Sequence, residues 1–154
     1  MAKKDVIVEN QDFGPICVIE DQKELDALLA WWQEKLFLQD WIINASVVSS
    51  KEFDLEDSAG ENLMCVEQKM STIHLLDASE AVKDSPVRFC HEKILVHELL
   101  HCLYDLLDPA ENSYTEKYLE MMDHARLEQM AKSLMMVKYG LSFDWFKNPD
   151  KVIA

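Results

Sequence analysis

The chain contains the stretch Ile94-Leu95-Val96-His97-Glu98-Leu99-Leu100-His101, in which two histidines flank a glutamate in the order H-E-x-x-H. It lies within residues 89–107, where the apolar side chains predict a helix. Residues four apart lie on the same face of a helix, so both imidazoles project from one side. Two histidines presented in this way are typical zinc ligands, and the glutamate between them is the usual general base of a metallopeptidase. The stretch therefore predicts His97 and His101 as metal ligands and Glu98 as the catalytic residue.

An H-E-x-x-H pattern is short, and it also arises by chance in helices that bind no metal. The apolar surroundings argue for a real site here, because Leu95, Leu99 and Leu103 would bury the two imidazoles. Buried imidazoles without a partner are destabilising. The alternative is a purely structural helix pair, whose stability would not change when a chelator is added.

The net charge restricts the partners of the chain. Over 154 residues, 15 Lys and Arg stand against 29 Asp and Glu, which gives a formal charge of −14. Such a surface repels phosphate groups, so nucleic acid and anionic membranes are unfavourable partners, whereas a basic peptide or protein is attracted. A peptide or protein substrate is compatible with this charge.

Length and composition predict a single domain over residues 1–154, with 49% hydrophobic residues available for its core. No apolar run is long enough for a membrane span, which needs about 20 residues, and the N-terminus has no signal-peptide pattern. The four cysteines form no C-x-x-C pair and are predicted to be small buried side chains in a reducing compartment: Cys17, Cys65, Cys90 and Cys102. These features predict a cytoplasmic protein.

The first half of the chain predicts one helix and a small sheet. A capping box at Asp21 opens a helix expected over residues 22–38. Strands are expected at residues 41–48, 64–67 and 71–77, with a polar loop at residues 49–62. One of the two later strands is expected to lie at the edge of the sheet, where it could pair with an extended substrate.

The second half predicts two helices. Ser85-Pro86 is typical of a helix start and predicts the beginning of the metal-binding helix, which would end near Leu107. A second capping box at Ser113 opens a long helix that Gly140 ends. The tail, residues 141–154, is expected to pack on the body of an α+β protein.

The long helix is expected to supply the third protein ligand that a catalytic zinc ion usually takes. Five of its side chains are candidates by chemistry: Glu116, Glu120, Asp123, His124 and Glu128. At about 100° per residue, an apolar stripe of Leu119, Leu127, Met130, Leu134 and Val137 is predicted to be buried. His124 and Glu120 lie at the border of this stripe, near the small Ala131. His124 is the preferred third ligand, and Glu120 and Glu128 remain open.

Other polar residues are expected to have structural roles. The same helical phase buries Asp123, which would then bond a ligand histidine or form a salt bridge with Arg126 or a lysine. His91 lies off the metal-binding face and is predicted to be a surface residue, as is His74 on its strand. Tyr104 is expected to pack against the protein, with support of an oxyanion as the alternative.

Four segments resemble a known family. Leu38-Gln39-Asp40-Trp41-Ile42-Ile43, residues 71–77, residues 95–101 and residues 123–131 are similar to small phage- and prophage-encoded proteins regarded as zinc metallopeptidases, which are loosely similar to the ImmA/IrrE and SprT-like zincins. The resemblance covers about residues 25–148 and implies a minimal zincin-like fold, with a small twisted sheet packed on the H-E-x-x-H helix and a long C-terminal helix. It places the third ligand at His124. The chain departs from the family at Cys102, where alanine is common, and at His124, where glutamate is frequent.

The motif and the resemblance together predict a zinc-dependent metallopeptidase. Zn²⁺ would be held by His97, His101 and His124, and Glu98 would act as general base on a metal-activated water that attacks a peptide bond. The alternative is a catalytically silent, zinc-binding regulatory or interaction protein of phage or prophage origin.

Overall fold

The structure is a computed structural model that describes residues 14–104 and 113–151, the latter without the side chains of residues 113–119. Its helices are α1 (Gln22–Lys35), α2 (His91–Tyr104) and α3 (Ser113–Tyr139), and its strands are β1 (Ile42–Val48), β2 (Gly60–Cys65) and β3 (Met70–Leu76). Short 3-10 turns lie at Ser50–Glu52, Ala78–Glu80, Phe143–Phe146 and Pro149–Lys151. The predicted α+β class is confirmed.

The sheet has the order β1-β3-β2, with β3 parallel to β1 and antiparallel to β2. Of the two strands expected to provide an edge, the one at residues 71–77 is therefore central, whereas the one at residues 64–67 overlaps β2, which lies at the edge. The loop predicted over residues 49–62 is wrong at its end, because β2 begins at Gly60. The start of this strand was missed because Glu61 is polar and was expected in a loop. Its side chain is instead buried and accepts the backbone N–H groups of Asp54 and Leu55.

Helix α1 begins behind Asp21, whose side chain accepts the N–H of Glu24 at 2.8 Å. It ends at Lys35, before the predicted residue 38, because the chain turns at Phe37, where φ is 57°. Leu38 lies beyond the turn and is still buried, so the pattern of apolar residues continues past the end of the helix.

Helix α2 begins at His91, and the predicted start at Ser85-Pro86 is wrong. Its first N–H groups are accepted by the backbone of an earlier segment: His91 donates to the carbonyl of Cys17 at 2.9 Å, and Glu92 donates to that of Ile16 at 3.0 Å. This cap comes from a segment distant in sequence, so no local cap residue marks it. The predicted end near Leu107 lies outside the described residues.

Helix α3 ends as predicted at Gly140, which has a φ of 65° and donates its N–H to Met136 at 2.8 Å. Its buried stripe is rotated from the predicted one. Leu127, Ala131 and Met135 are buried, whereas Val137 is 86% exposed. The side of α3 that carries Ala131 faces α2, and contact with α2 overrides the distribution of apolar residues around the helix.

The core lies between the sheet and the helices, and the tail closes one end of it. Ile73 and Leu75 of β3 are fully buried with residues of α1 and α2, and Phe146 of the tail packs into the same cluster, as predicted. Two of the four cysteines, Cys90 and Cys102, are buried as expected, but Cys65 is exposed. In the part of the chain that is described, no helix is both long and apolar enough to cross a membrane.

Candidate metal centre

The structure brings together the three predicted histidines. His97 and His101 lie one turn apart on α2, and His124 faces them from α3. One ring nitrogen of each lies within 4.8 Å of the other two. These three side chains form a group that could hold a metal ion.

The spacing of the rings is compatible with a tetrahedral ion. His97 Nε2 and His124 Nδ1 are 3.3 Å apart. Nitrogen ligands about 2.0–2.1 Å from a tetrahedral ion are themselves about 3.4 Å apart. A set of imidazoles suits transition metals such as zinc, copper, iron and nickel.

Glu128 orients the first of these histidines. Its Oε2 lies 2.9 Å from His97 Nδ1, and its Oε1 accepts the ammonium of Lys93 at 2.7 Å. Burial raises the pKa of Glu128, but the hydrogen bonds and charges of His97 and Lys93 outweigh burial and bring the pKa to about 2. The ionised carboxylate therefore accepts the N–H at His97 Nδ1, which leaves the lone pair of Nε2 facing His124. Metal-ligating histidines usually have such a partner.

Glu98 lies beside the histidine group. It is 7% exposed, and its Oε2 is 4.0 Å from His101 Nε2. Its backbone carbonyl accepts the side-chain amide of Asn62 on β2 at 2.7 Å. The predicted catalytic carboxylate is therefore within reach of a molecule held at the three histidines.

The histidines open onto a cavity of about 450 Å³ between α2, α3 and the edge strand β2. Glu98 and Glu120 also line it, so Glu120 stands in the cavity wall. A second cavity, of about 660 Å³, adjoins the first and shares residues such as Leu55, Ser58 and Ile94 with it. The site is a pocket with access from the surface.

Strand β2 presents backbone groups to this cavity. Leu76 of β3 donates its N–H to Ala59 at 2.9 Å, which makes them a hydrogen-bonded pair. Because such pairs alternate along an antiparallel ladder, the N–H and C=O groups of Gly60, Asn62 and Met64 point away from β3. Within residues 14–104 and 113–151, no strand pairs with this edge.

Sequence reasoning missed the contributions of Lys93, Asn62 and Gly60, and it placed Glu128 toward solvent. The i, i+4 spacing of His124 and Glu128 was the available signal, because it puts both on one face of α3. No local pattern identifies Asn62, since its partners on α2 and β3 are distant in the chain.

For two of the remaining polar residues, the predicted burial is wrong. His91 is 1% exposed, accepts the N–H of Ile19 at Nδ1 and donates from Nε2 to the carbonyl of Leu76, so its assignment to the surface is wrong. Asp123 is exposed rather than buried, although it does lie 3.7 Å from Arg126.

His74 and Tyr104 differ from their predictions in opposite directions, since His74 is more covered and Tyr104 is more exposed than expected. His74 is largely covered and bonds Glu61 at 2.7 Å, so its placement at the strand surface is only partly right. Tyr104 is 54% exposed rather than packed.

Comparison with protein-family models, with curated proteins and with solved structures finds no match to this chain. The functional reading therefore depends on the geometry of its own residues.

Proposed function

We propose that the protein is a zinc-dependent metallopeptidase of zincin-like fold, with His97, His101 and His124 as ligands. The observation that carries the proposal is the convergence of three imidazoles beside a largely buried glutamate, in a cavity bordered by an open strand edge. Zinc bound there would polarise the scissile carbonyl and lower the pKa of a water molecule. Three imidazoles are a common ligand set of catalytic zinc.

In this proposal, separate residues transfer the proton, orient a ligand histidine and bind the peptide. Glu98 would take a proton from the attacking water and pass it to the leaving amine. Glu128 would hold the His97 ring, as its 2.9 Å hydrogen bond supports. The Gly60 carbonyl accepts the hydroxyl of Ser58, so the N–H of Gly60 and the outward backbone groups of Asn62 would pair with an extended peptide and lay its scissile bond across the site. A net charge of −14 favours a basic peptide over an acidic one.

The decisive experiment compares wild type with Glu98→Gln in hydrolysis of a mixed peptide library, with zinc content measured on both proteins. We expect about one zinc per chain in both, and a loss of at least about 100-fold in turnover in the variant, which is the usual contribution of a general base. Full turnover by the variant would exclude Glu98 as the base.

Two other results point to different functions. Bound zinc without hydrolysis in wild type would favour the catalytically silent regulatory protein of phage or prophage origin. No bound metal after zinc is offered would leave α2 and α3 as a structural helix pair.

A further inference from the structure

Gly60 lies where β2 passes close to α2. A Cβ atom at this position would lie 2.5 Å from Cγ2 of Ile94, 2.9 Å from Oε1 of Glu98 and 3.3 Å from Cγ of Glu98. Nonbonded carbon atoms are normally about 3.5–4.0 Å apart. Any side chain here would have to displace Ile94, Glu98 or the strand itself.

The backbone conformation does not explain this glycine. Of the glycines in the described residues, Gly14 and Gly140 have positive φ, and Gly60 does not. It lies in a regular β-strand opposite Leu75, in a conformation that alanine adopts freely. Glycine inside a strand weakens it and often marks a close approach by another part of the protein. Here that approach is the α2 turn that carries Glu98.

The strand cannot withdraw to make room without losing other contacts. Two residues along β2, Asn62 donates its side-chain amide to the carbonyl of Glu98 at 2.7 Å and its carbonyl oxygen accepts the hydroxyl of Ser71. These bonds tie β2 and β3 to the same turn of α2. A side chain at residue 60 would therefore push Ile94 and the Glu98 carboxylate rather than the strand.

We propose that Gly60 is a positioning residue of the active site. Its missing side chain leaves the space in which the Glu98 carboxylate lies between the backbone of β2 and the three histidines. The catalytic consequence rests on the proposed function, whereas the displacement of Glu98 is a structural effect that can be measured without turnover.

The test uses Gly60→Ala, Ile94→Ala and the double variant. Ile94→Ala removes the nearer of the two obstacles, Cγ2, and leaves the contact with Glu98. We expect Gly60→Ala to lower both the unfolding midpoint and kcat, with KM and zinc content unchanged. A misplacement of about 1 Å can lower the rate about 100-fold. In the Ile94→Ala background, the same substitution should lower kcat by the same factor but no longer lower the midpoint.

Crystal structures of the variants provide the second readout. We expect the Glu98 carboxylate to shift away from residue 60 in Gly60→Ala and in the double variant, and to stay in place in Ile94→Ala. Leu63→Ala, on the opposite face of β2, where the side chain is 41% exposed, is the matched control and should change neither kcat nor Glu98.

Two results would overturn the proposal: an unmoved Glu98 carboxylate in Gly60→Ala, or a double variant with the kcat of Ile94→Ala alone, which would reduce Gly60 to a packing role. Wild-type protein that binds zinc and hydrolyses no peptide would instead refute the proposed function, and the position of Glu98 in the crystal structures would still decide the role of Gly60.

Discussion

Two carboxylates of helix α2 lie in opposite surroundings. At the N-terminal end, Glu92 is fully buried and accepts the N–H of Ile16, the indole of Trp32, the ammonium of Lys138 and the hydroxyl of Tyr139 at 2.6–2.9 Å. In the middle of the helix, Glu98 faces a cavity with the three histidines.

The difference separates a polar cluster that is closed within the protein from one that could hold a metal ion. The donors to Glu92 come from Ile16, which precedes α1, and from α1 and α3, so one carboxylate joins three parts of the chain to α2. Burial lowers the pKa of Lys138, and Glu92 opposes this shift. In the histidine group, ring nitrogens instead face each other at 3.3 Å across a space that a cation can bridge. The hydrogen bonds of Glu92 are made within the protein and stabilise the fold, whereas the histidine group surrounds a space that a ligand can enter.

The largest expected effect follows from breaking the closed cluster. Glu92→Gln leaves the ammonium of Lys138 buried without a counter-charge. We expect the free energy of unfolding to fall by about 3–5 kcal/mol, as measured by urea denaturation of the metal-free protein. The zinc affinity of the folded variant should not change.

The double variant Glu92→Gln/Lys138→Met checks this reason. Replacing both members of a buried ion pair removes the uncompensated charge, so we expect it to be more stable than Glu92→Gln. A double variant that is less stable than the single one would contradict the account.

Removing a proposed metal ligand should have the opposite effects, which are a loss of zinc affinity and little change in stability. We expect His124→Ala to weaken zinc binding by more than about 100-fold, beyond the effect typical of residues that only support a ligand. Because His124 is exposed, the free energy of unfolding without metal should change by less than about 0.5 kcal/mol. Isothermal titration with zinc measures the affinity. Glu120→Ala is the matched control from the same helix. A larger loss of zinc affinity in Glu120→Ala than in His124→Ala would identify Glu120 as the third ligand.

A smaller effect is expected from the residue that orients His97. Glu128→Gln should weaken zinc binding by about 10- to 100-fold, the usual contribution of a carboxylate behind a ligand histidine. The matched control is Lys132→Ala, since Lys132 lies 3.9 Å from Oε1 of Glu128, whereas His97 bonds Oε2. Equal zinc affinities for wild type and Glu128→Gln would show that this hydrogen bond does not support the metal site.

The smallest effect concerns pH and the cap of α2. Burial lowers the pKa of His91, although its hydrogen bond to Leu76 and the charge of Asp77 oppose this shift. The unfolded chain therefore binds a proton near pH 6.5 that the folded protein excludes, and stability is lost as the pH falls from about 6.5 toward the lowered pKa. One proton gives at most about 1.4 kcal/mol per pH unit.

The difference between wild type and His91→Gln isolates this contribution. Urea denaturation of both metal-free proteins between pH 5 and pH 7, roughly the range in which histidines titrate, should show a steeper loss of stability in wild type. Parallel curves for the two proteins would mean that His91 does not titrate in this range.

What the sequence could predict is what local spacing controls. The i, i+4 placement of His97 and His101 follows from helix geometry alone, and the apolar periods locate α1, β1 and β3 to within a few residues. Gly140 ends α3 as expected, because a residue with positive φ favours glycine at a helix end.

Only the tertiary structure decided the partners. That both His124 and Glu128 meet His97 depends on which side of α3 packs on α2, and the exposed Val137 shows that apolar content alone misplaces that side. The burial of Glu92 and His91, the edge position of β2 and the space left by Gly60 likewise arise from contacts between segments far apart in the chain. A local pattern specifies which residues share a face of a helix, but long-range packing determines what that face meets.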